Sequence, residues 1–124
     1  MRLTKQSTYA VRALMYCALN EPNLSPVSAI SEAFGISVPF LHKLTNPLIK
    51  HGILASVQGR KGGIRLARPA EQITIYESVR VTEDDFHIAP CFSGQFDDCP
   101  LIGVCLFHEL LEGALEAFFN ELKH

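Results

Sequence analysis

Apolar positions recur at three- and four-residue steps in the first part of the chain and predict two helices. The first covers residues 6–20 and ends at the turn of residues 21–23, which contains a proline. The second is shorter, covers residues 26–34 and is stopped by Gly35. This spacing indicates a helical domain that begins close to the first residue of the sequence.

A third helix is predicted after a tight turn. Ser37 is a suitable N-cap, and Leu41 and Leu44 belong to the buried stripe that follows it. Because proline has no amide donor, Pro47 is expected to kink or interrupt this helix. Two helices joined by the short turn at residues 34–37 form a helix-turn-helix pattern.

Two short β-prone runs follow, at residues 53–57 and 64–66. They flank a glycine-rich tip that carries two basic side chains, Arg60 and Lys61. This arrangement predicts a β-hairpin with a loop longer than two residues. A helix-turn-helix followed by a basic hairpin is a winged helix.

The remainder of the chain predicts a short helix, an irregular acidic loop and a long helix. Residues 73–81 form the short helix, with Thr74 near its start and Glu77 three positions later. Residues 82–98 are irregular. A long helix with a broad apolar stripe is expected from Cys99 onward, and it could pack on its own domain or pair with its copy in a dimer.

The expected fold class is therefore mainly α with a small β-hairpin. The predicted regions are a winged helix-turn-helix DNA-binding region (1–82), a cysteine-containing loop (83–105) and a C-terminal dimerisation helix (100–124). At 124 residues, this is one compact domain with an appended helix.

The charge is distributed very unevenly. Residues 1–70 contain nine Lys and Arg against two Glu, a balance of +7, whereas residues 71–124 contain two against eleven acids, a balance of −9. A basic half beside an acidic half points to a polyanion as the partner of the first half only. The alternative is an unevenly charged domain without such a partner.

The predicted recognition helix offers polar residues for DNA contact. The polar residues off its buried stripe are Ser37, His42, Lys43, Thr45 and Asn46. Lys43 can donate to guanine O6 and N7 in the major groove. The alternative is that these residues form a solvated helix face.

Further basic residues are placed for backbone contacts. Arg60 and Lys61 at the hairpin tip could enter a minor groove or bind phosphate, and Arg2 and Lys5 could add phosphate contacts near the first helix. Double-stranded DNA is thus the expected partner, with an affinity that falls as salt rises. A flexible surface loop is the alternative for the tip.

Three cysteines and a histidine, Cys91, Cys99, Cys105 and His108, lie within eighteen residues at the spacing C-x7-C-x5-C-x2-H. Clustered thiolates in an intracellular chain hold zinc or an iron–sulfur cluster more often than they form disulfides. Cys105 and His108 are three residues apart on a predicted helix and share a face. Spacing alone leaves zinc and a cluster open, and His108 is either a ligand or a surface residue.

The fourth cysteine, Cys17, falls on the apolar side of the first helix and is expected to be a small core residue. The sequence has no apolar run long enough to span a membrane, and its first residues lack the features of a signal peptide. A cytoplasmic location without a membrane partner is therefore expected.

Three motifs together resemble one family. Residues 1–6 (MRLTKQ) with 9–14 (YAVRAL), the wing 57–66 (VQGRKGGIRL) and three cysteines before a long helix are similar to the Rrf-type winged-helix regulators. The resemblance implies a homodimeric transcription regulator, in many members bound to an iron–sulfur cluster. By position it makes Cys91, Cys99 and Cys105 the cluster ligands and puts His42, Lys43 and Arg60 at the DNA.

Within that family the chain is most similar to the iron-responsive RirA repressors, on residues 1–9, residues 79–83 and the wide gap between the first two cysteines. In IscR and NsrR the first two cysteines are usually closer together in the sequence. His108 matches the position of the fourth ligand of IscR, and Thr8 stands near where some NsrR proteins have a ligating aspartate.

The expected function is a DNA-binding repressor whose iron–sulfur cluster, 4Fe–4S or alternatively 2Fe–2S, reports iron or redox status. Alternatives are an NsrR-like nitric oxide sensor, an IscR-like regulator of cluster biogenesis, or a cluster-free or zinc-binding module controlled by a partner protein. An enzyme is not expected, because the sequence shows no nucleophile–base pair, phosphate loop or paired carboxylates.

Overall fold

The computed structural model describes residues 2–94 and 98–124, so Met1 of the opening motif and residues 95–97 of the predicted acidic loop lie outside the described residues. The elements in chain order are α1 (Lys5–Leu19), α2 (Val27–Phe34), α3 (Val38–Lys50), β1 (Leu54–Val57), β2 (Gly63–Leu66), α4 (Ile75–Thr82) and α5 (Leu106–Leu122). Short 3-10 turns lie at Ala70–Gln72 and Pro90–Ser93. The predicted mainly α fold with a β-hairpin is confirmed.

Side-chain caps explain where several helices begin. The Thr4 hydroxyl accepts from the amide of Ser7 at the start of α1, and the Ser37 hydroxyl accepts from the amide of Phe40 at the start of α3. Each cap satisfies one of the amides that lack a partner in the first helical turn. Gly35 ends α2 with φ 64°, a left-handed conformation that glycine adopts without a Cβ clash, and so makes the tight turn into α3.

One apolar core joins the first three helices to the hairpin. Its fully or almost fully buried members are Ala10, Ala13, Leu14, Cys17, Ile30, Leu41, Leu44, Leu48, Ile53, Leu54, Ile64 and Leu66. Burial of such side chains contributes roughly 1.5–3 kcal/mol each for the larger ones. The core therefore fixes the position of α3 relative to the hairpin.

The expectation that Pro47 would interrupt the third helix is wrong, and the expected kink there stays a prediction. α3 continues through Pro47 to Lys50. Leu44 and Leu48, on either side of the proline, are both completely buried, and their packing outweighs the one hydrogen bond that the proline cannot make.

The hairpin is antiparallel, with Leu54 opposite Leu66 and Val57 opposite Gly63. Its second strand is also joined to the segment before α2, because the backbones of Ser25 and Ile64 exchange two hydrogen bonds of 2.9 Å. A Cβ at Gly63 would lie 2.5 Å from the Ser25 carbonyl oxygen, so only glycine fits there. The base of the wing is thus held by the domain.

α4 begins with the predicted capping box. The Thr74 hydroxyl accepts from the Glu77 amide, and the Glu77 carboxylate accepts from the Thr74 amide. The Nη2 of Arg68 donates to the same carboxylate at 2.6 Å. This short helix packs against α1 and α3.

The long helix begins later than predicted. α5 begins at Leu106, six residues after the Cys99-Pro100 pair, with Cys105 as its N-cap. Residues 100–104 form turns, and Gly103 has φ 85°. None of the helices among the described residues is long and apolar enough to cross a membrane.

Candidate functional site

The helix predicted to read DNA, α3, presents four of the five predicted polar residues to solvent. The prediction is wrong for Thr45, which is 1% exposed and donates its hydroxyl to the Leu41 carbonyl oxygen at 2.9 Å. His42 and Lys43 are exposed on the first half of α3, whereas Leu41 beside them is completely buried. Ser37 is exposed and caps the helix. Phe40 packs edge-on against Tyr9 of α1 at 6.1 Å between ring centroids. α3 is therefore anchored on one side and open to solvent on the other.

The wing places its two basic tip residues in solvent. Arg60 and Lys61 are exposed in the turn between β1 and β2, and Arg65 is exposed on β2. Gly59 has φ 105° and shapes this turn. Basic side chains at the tip of an anchored hairpin can approach a phosphate backbone.

Arg2 and Lys5 are also exposed, at the beginning of α1. Lys5 is the first residue of that helix. Further along α1, the guanidinium of Arg12 stacks over the Tyr9 ring at 4.9 Å from its centroid. Positive charge is thus displayed along α1 as well as on α3 and the wing.

The three cysteines of the acidic half line one cavity. It has a volume of about 670 Å³ and lies between the Pro90–Ser93 turn, the turns before α5 and the first two turns of α5. Cys91, Cys99, Cys105 and His108 all contribute to its wall. The three thiols are free and partly buried. All four residues predicted as metal ligands therefore border the same cavity.

His108 is at the centre of the contacts in this cavity. Its Nδ1 lies 3.1 Å from Cys91 Sγ, and its backbone amide donates to Cys105 Sγ at 3.3 Å. Its Nε2 lies 3.2 Å from Glu112 Oε1, and the Phe92 ring packs against it with centroids 4.7 Å apart. The histidine is thus linked to two of the three cysteines.

The position of Cys105 differs from the prediction. It lies just before the helix and not within it, so its thiol accepts from the His108 amide as an N-cap. Cys99 lies in the turns that precede the helix and not at its start. Within residues 2–94 and 98–124, no three His, Cys, Asp or Glu side chains are close enough together to hold a single metal ion.

The first half of α5 displays a large apolar surface. Leu106, Phe107 and Leu110 are 74%, 66% and 71% exposed, and Leu101, Ile102 and Val104 just before the helix are also exposed. The second half of α5 is anchored, because Phe119 packs on Tyr76 and Phe86 at 5.4 and 4.8 Å. An exposed apolar patch of this kind indicates a protein contact.

Cys17 lies apart from this site, as expected. It is 1% exposed in the core, and its Sγ lies 4.0 Å from the Ile64 carbonyl oxygen. Burial raises the pKa of its thiol to about 11, although a hydrogen bond with Ser25 acts in the opposite direction. The thiol therefore stays protonated at neutral pH, and Cys17 is a core residue.

Sequence reasoning missed two residues that contact His108. Glu112 is four residues after His108 on a helix, and this i,i+4 spacing is a signal that could have identified it. Phe92 directly follows Cys91, but adjacency alone does not predict that its ring packs on the imidazole.

Comparisons with known proteins match the chain over almost its whole length. A family model described as Rrf2, iron-dependent transcriptional regulator, matches residues 3–124. Protein aau3 of Rhizobium meliloti strain 1021 is 50% identical over 123 residues, which are 99% of this chain and 80% of that protein. The HTH-type transcriptional regulator NsrR of Shouchella clausii is 37% identical over 124 residues, covering 99% of this chain and 83% of that protein.

A solved structure shows the same fold. The structure of IscR from T. potens matches with a TM-score of 0.77 at 22% sequence identity, covering 99% of this chain and 80% of that one. The likeness includes the winged helix and the long C-terminal helix.

Proposed function

This chain belongs to the Rrf2 family of transcription regulators, and on that premise we propose that it is a dimeric repressor controlled by an iron–sulfur cluster. Members of the family are regulators and not enzymes, in agreement with the prediction. The single observation that carries the proposal is the cavity at the start of α5, which Cys91, Cys99, Cys105 and His108 all line.

The donor set of this cavity fits a cluster. Iron–sulfur clusters are held by thiolates, and three free thiols and one imidazole surround a volume of about 670 Å³. We assign Cys91, Cys99 and Cys105 as cluster ligands and His108 as the fourth. A bound cluster, 4Fe–4S in the favoured form, would supply iron–ligand bonds between these residues, and these bonds would join the loop before α5 to the helix.

The residues that connect this cavity to the DNA-binding region lie along α5 and α4. Phe119 anchors the end of α5 on α4, with the Arg80 guanidinium 5.3 Å from the Phe86 ring and 5.7 Å from the Phe119 ring. α4 in turn packs on α1 and α3. A change in how the loop holds the start of α5 can therefore reach the recognition helix through packed side chains.

DNA binding is assigned to the basic half. Ser37, His42 and Lys43 on α3 face the major groove, and Arg60 and Lys61 on the wing contact the backbone or minor groove, with Arg2 and Lys5 as phosphate contacts at α1. The exposure of these side chains supports the assignment, together with the balance of +7 in residues 1–70.

A second copy of the chain is proposed as the partner of the exposed apolar surface of α5. A dimer would cover Leu106, Phe107 and Leu110, and it would present two recognition helices to half-sites about 34 Å apart. Iron availability is the proposed signal, based on the resemblance of residues 1–9 and 79–83 and of the first cysteine gap to RirA repressors.

Anaerobic purification tests the cluster. We expect a coloured protein with iron and inorganic sulfide in equal amounts, and loss of colour when Cys91, Cys99 or Cys105 is replaced by Ala. Cys17→Ala is the matched control and should keep the cluster. A colourless wild-type protein with one zinc per chain would refute the cluster.

A second experiment tests the link to DNA. Duplexes selected from a random library by the cluster-loaded protein are titrated before and after iron chelation, and chelation should weaken binding. Lys43→Ala should weaken the binding free energy by about 1–3 kcal/mol and relax the sequence preference at one base pair. Lys61→Ala should reduce the slope of log affinity against log salt concentration by about one. Lys123→Ala is the control, because it removes a cation of the acidic half. It should leave the affinity for DNA and its salt dependence unchanged.

The dimer is tested by sedimentation. Phe107→Glu or Leu110→Glu should produce monomers, whereas Met15→Glu should not, although Met15 is an apolar residue of α1 that is 54% exposed. Dimers that persist in both α5 variants would contradict this interface.

A further inference from the structure

The imidazole of His108 is held on three sides. Cys91 Sγ lies 3.1 Å from Nδ1, Glu112 Oε1 lies 3.2 Å from Nε2, and the Phe92 ring packs on the face of the imidazole at an interplanar angle of 34°. The orientation of the ring is therefore determined by neighbours on different segments of the chain. The ring edge that carries Nδ1 is turned toward the cysteine.

The chemistry of the two neighbours assigns the hydrogen of a neutral imidazole. An ionised carboxylate can only accept a hydrogen bond, so the nitrogen beside Glu112 must carry the hydrogen. Nδ1 then has a free lone pair, and this lone pair faces Cys91. A thiol can donate to that lone pair, and a metal can bind it.

We infer that Glu112 is a positioning residue that directs Nδ1, and not Nε2, of His108 into the cavity as the ligand atom. This inference rests on the proposed cluster site and adds to it a residue that does not touch the metal. A histidine ligand commonly donates its second ring N–H to a carboxylate, which fixes the tautomer and makes the ligand more basic.

The helix makes this arrangement independent of the loop. His108 and Glu112 are one turn apart on α5, so their contact needs no particular conformation of residues 83–104. The competing interpretation is that Glu112, whose side chain is 61% exposed, is a solvated helix residue without influence on the site. The experiment below separates the two.

The first measurement is a Co²⁺ titration of the metal-free, reduced protein. Glu112→Ala should weaken Co²⁺ binding about 10- to 100-fold, the usual effect of removing an outer partner of a ligand. Glu112→Gln keeps an oxygen acceptor and should restore part of the loss. Glu116→Ala removes an exposed glutamate one turn further along α5 and should match the wild type.

The second measurement is long-range ¹H–¹⁵N NMR of the Zn²⁺-loaded wild-type protein, which identifies the metal-bound nitrogen. We expect Nδ1 bound to Zn²⁺ and a hydrogen on Nε2. If Glu112 only stabilised the helix, it would not determine which ring nitrogen of His108 binds the metal. Metal on Nε2, or equal Co²⁺ affinities of Glu112→Ala and Glu116→Ala, overturns the inference.

The two proposals fail in different ways. A wild-type protein that binds Zn²⁺ through Nδ1 but contains no iron and sulfide refutes the cluster and supports the role of Glu112. A wild-type protein that holds a cluster, with Glu112→Ala behaving like Glu116→Ala, refutes the role of Glu112 alone. A wild-type protein that holds no cluster and also binds no Co²⁺ refutes both.

Discussion

Glu83 binds the N-cap residue of α1, Thr4, with both of its carboxylate oxygens. Oε1 accepts from the Thr4 backbone amide at 2.9 Å, and Oε2 accepts from the Thr4 hydroxyl at 2.7 Å. The buried Ser7 hydroxyl also donates to Oε2 at 2.9 Å. The first residue after α4 therefore closes the beginning of α1, where a negative charge also complements the helix dipole.

Replacement of Glu83 by Ala should destabilise the protein by about 1–3 kcal/mol, because the hydroxyls of Thr4 and of the buried Ser7 lose their acceptor. Urea denaturation measures the change in free energy of unfolding. Asp84→Ala, the exposed neighbouring carboxylate, is the control and should be nearly neutral. Equal unfolding midpoints for the two variants would show that the Glu83 contact is not stabilising.

Replacement of Gly63 by Ala should destabilise the wing, since the new Cβ would lie 2.5 Å from the Ser25 carbonyl oxygen. The expected cost is about 1–3 kcal/mol, as for other insertions into packed positions. The measurements are thermal unfolding and hydrogen exchange of the Ser25 and Ile64 amides. Ser56→Ala, an exposed residue of β1, should change neither, and a Gly63 variant as stable as this control would contradict the packing.

Glu77 should make the protein sensitive to acid. Desolvation acts to raise its pKa, but hydrogen bonds from Thr74 and the hydrogen bond and charge of Arg68 outweigh it, so the pKa is lowered. The carboxylate therefore stabilises the fold above its unfolded-state pKa, and this contribution is lost as pH falls through the folded-state pKa.

The comparison is between wild type and Glu77→Gln, unfolded in urea at a series of pH values. The stability difference should be largest near neutral pH and shrink as the pH is lowered. Glu71→Gln, an exposed carboxylate nearby, should show no such trend. A difference that stays constant with pH would exclude the predicted role of Glu77.

Cys17 should make the protein sensitive to alkali. The pKa of its thiol is raised from 9.0 to about 11. The contribution of the protonated thiol to the free energy of unfolding is therefore fully present below pH 9 and is lost as the pH rises toward 11. Cys17→Ala should remove this part of the alkaline loss of stability. In the metal-free folded protein, iodoacetamide should modify the other three cysteines and reach Cys17 only after unfolding. If Cys17 were labelled in the folded protein as fast as the other three, its burial would be refuted.

Features set by neighbouring residues could be predicted from the sequence. Ser37 and Thr74 were recognised as helix starts, because capping depends on a few adjacent residues. The presence of Cys91, Cys99 and Cys105 at one cavity follows from their closeness in the sequence.

Features set by packing could not be predicted in the same way. The helix passes Pro47 because the core buries its neighbours, and local propensity does not contain that information. The start of α5 was misplaced because the apolar residues 101–104 continue the helical pattern while forming turns. The contact of Glu83 with Thr4 joins residues 79 positions apart and depends on the complete fold.

Because α5 is anchored at Phe119, a small rotation of the helix about this residue moves its first turn over a larger distance. The distance along the axis from Phe119 to Leu106 is about 20 Å, at 1.5 Å per residue. A tilt of about 10° around Phe119 would displace the end that carries Cys105 and His108 by roughly 3 Å, while the side chains at the pivot move far less. If the cysteines shift by one or two bond lengths, α5 therefore rotates by only a few degrees at its contact with α4.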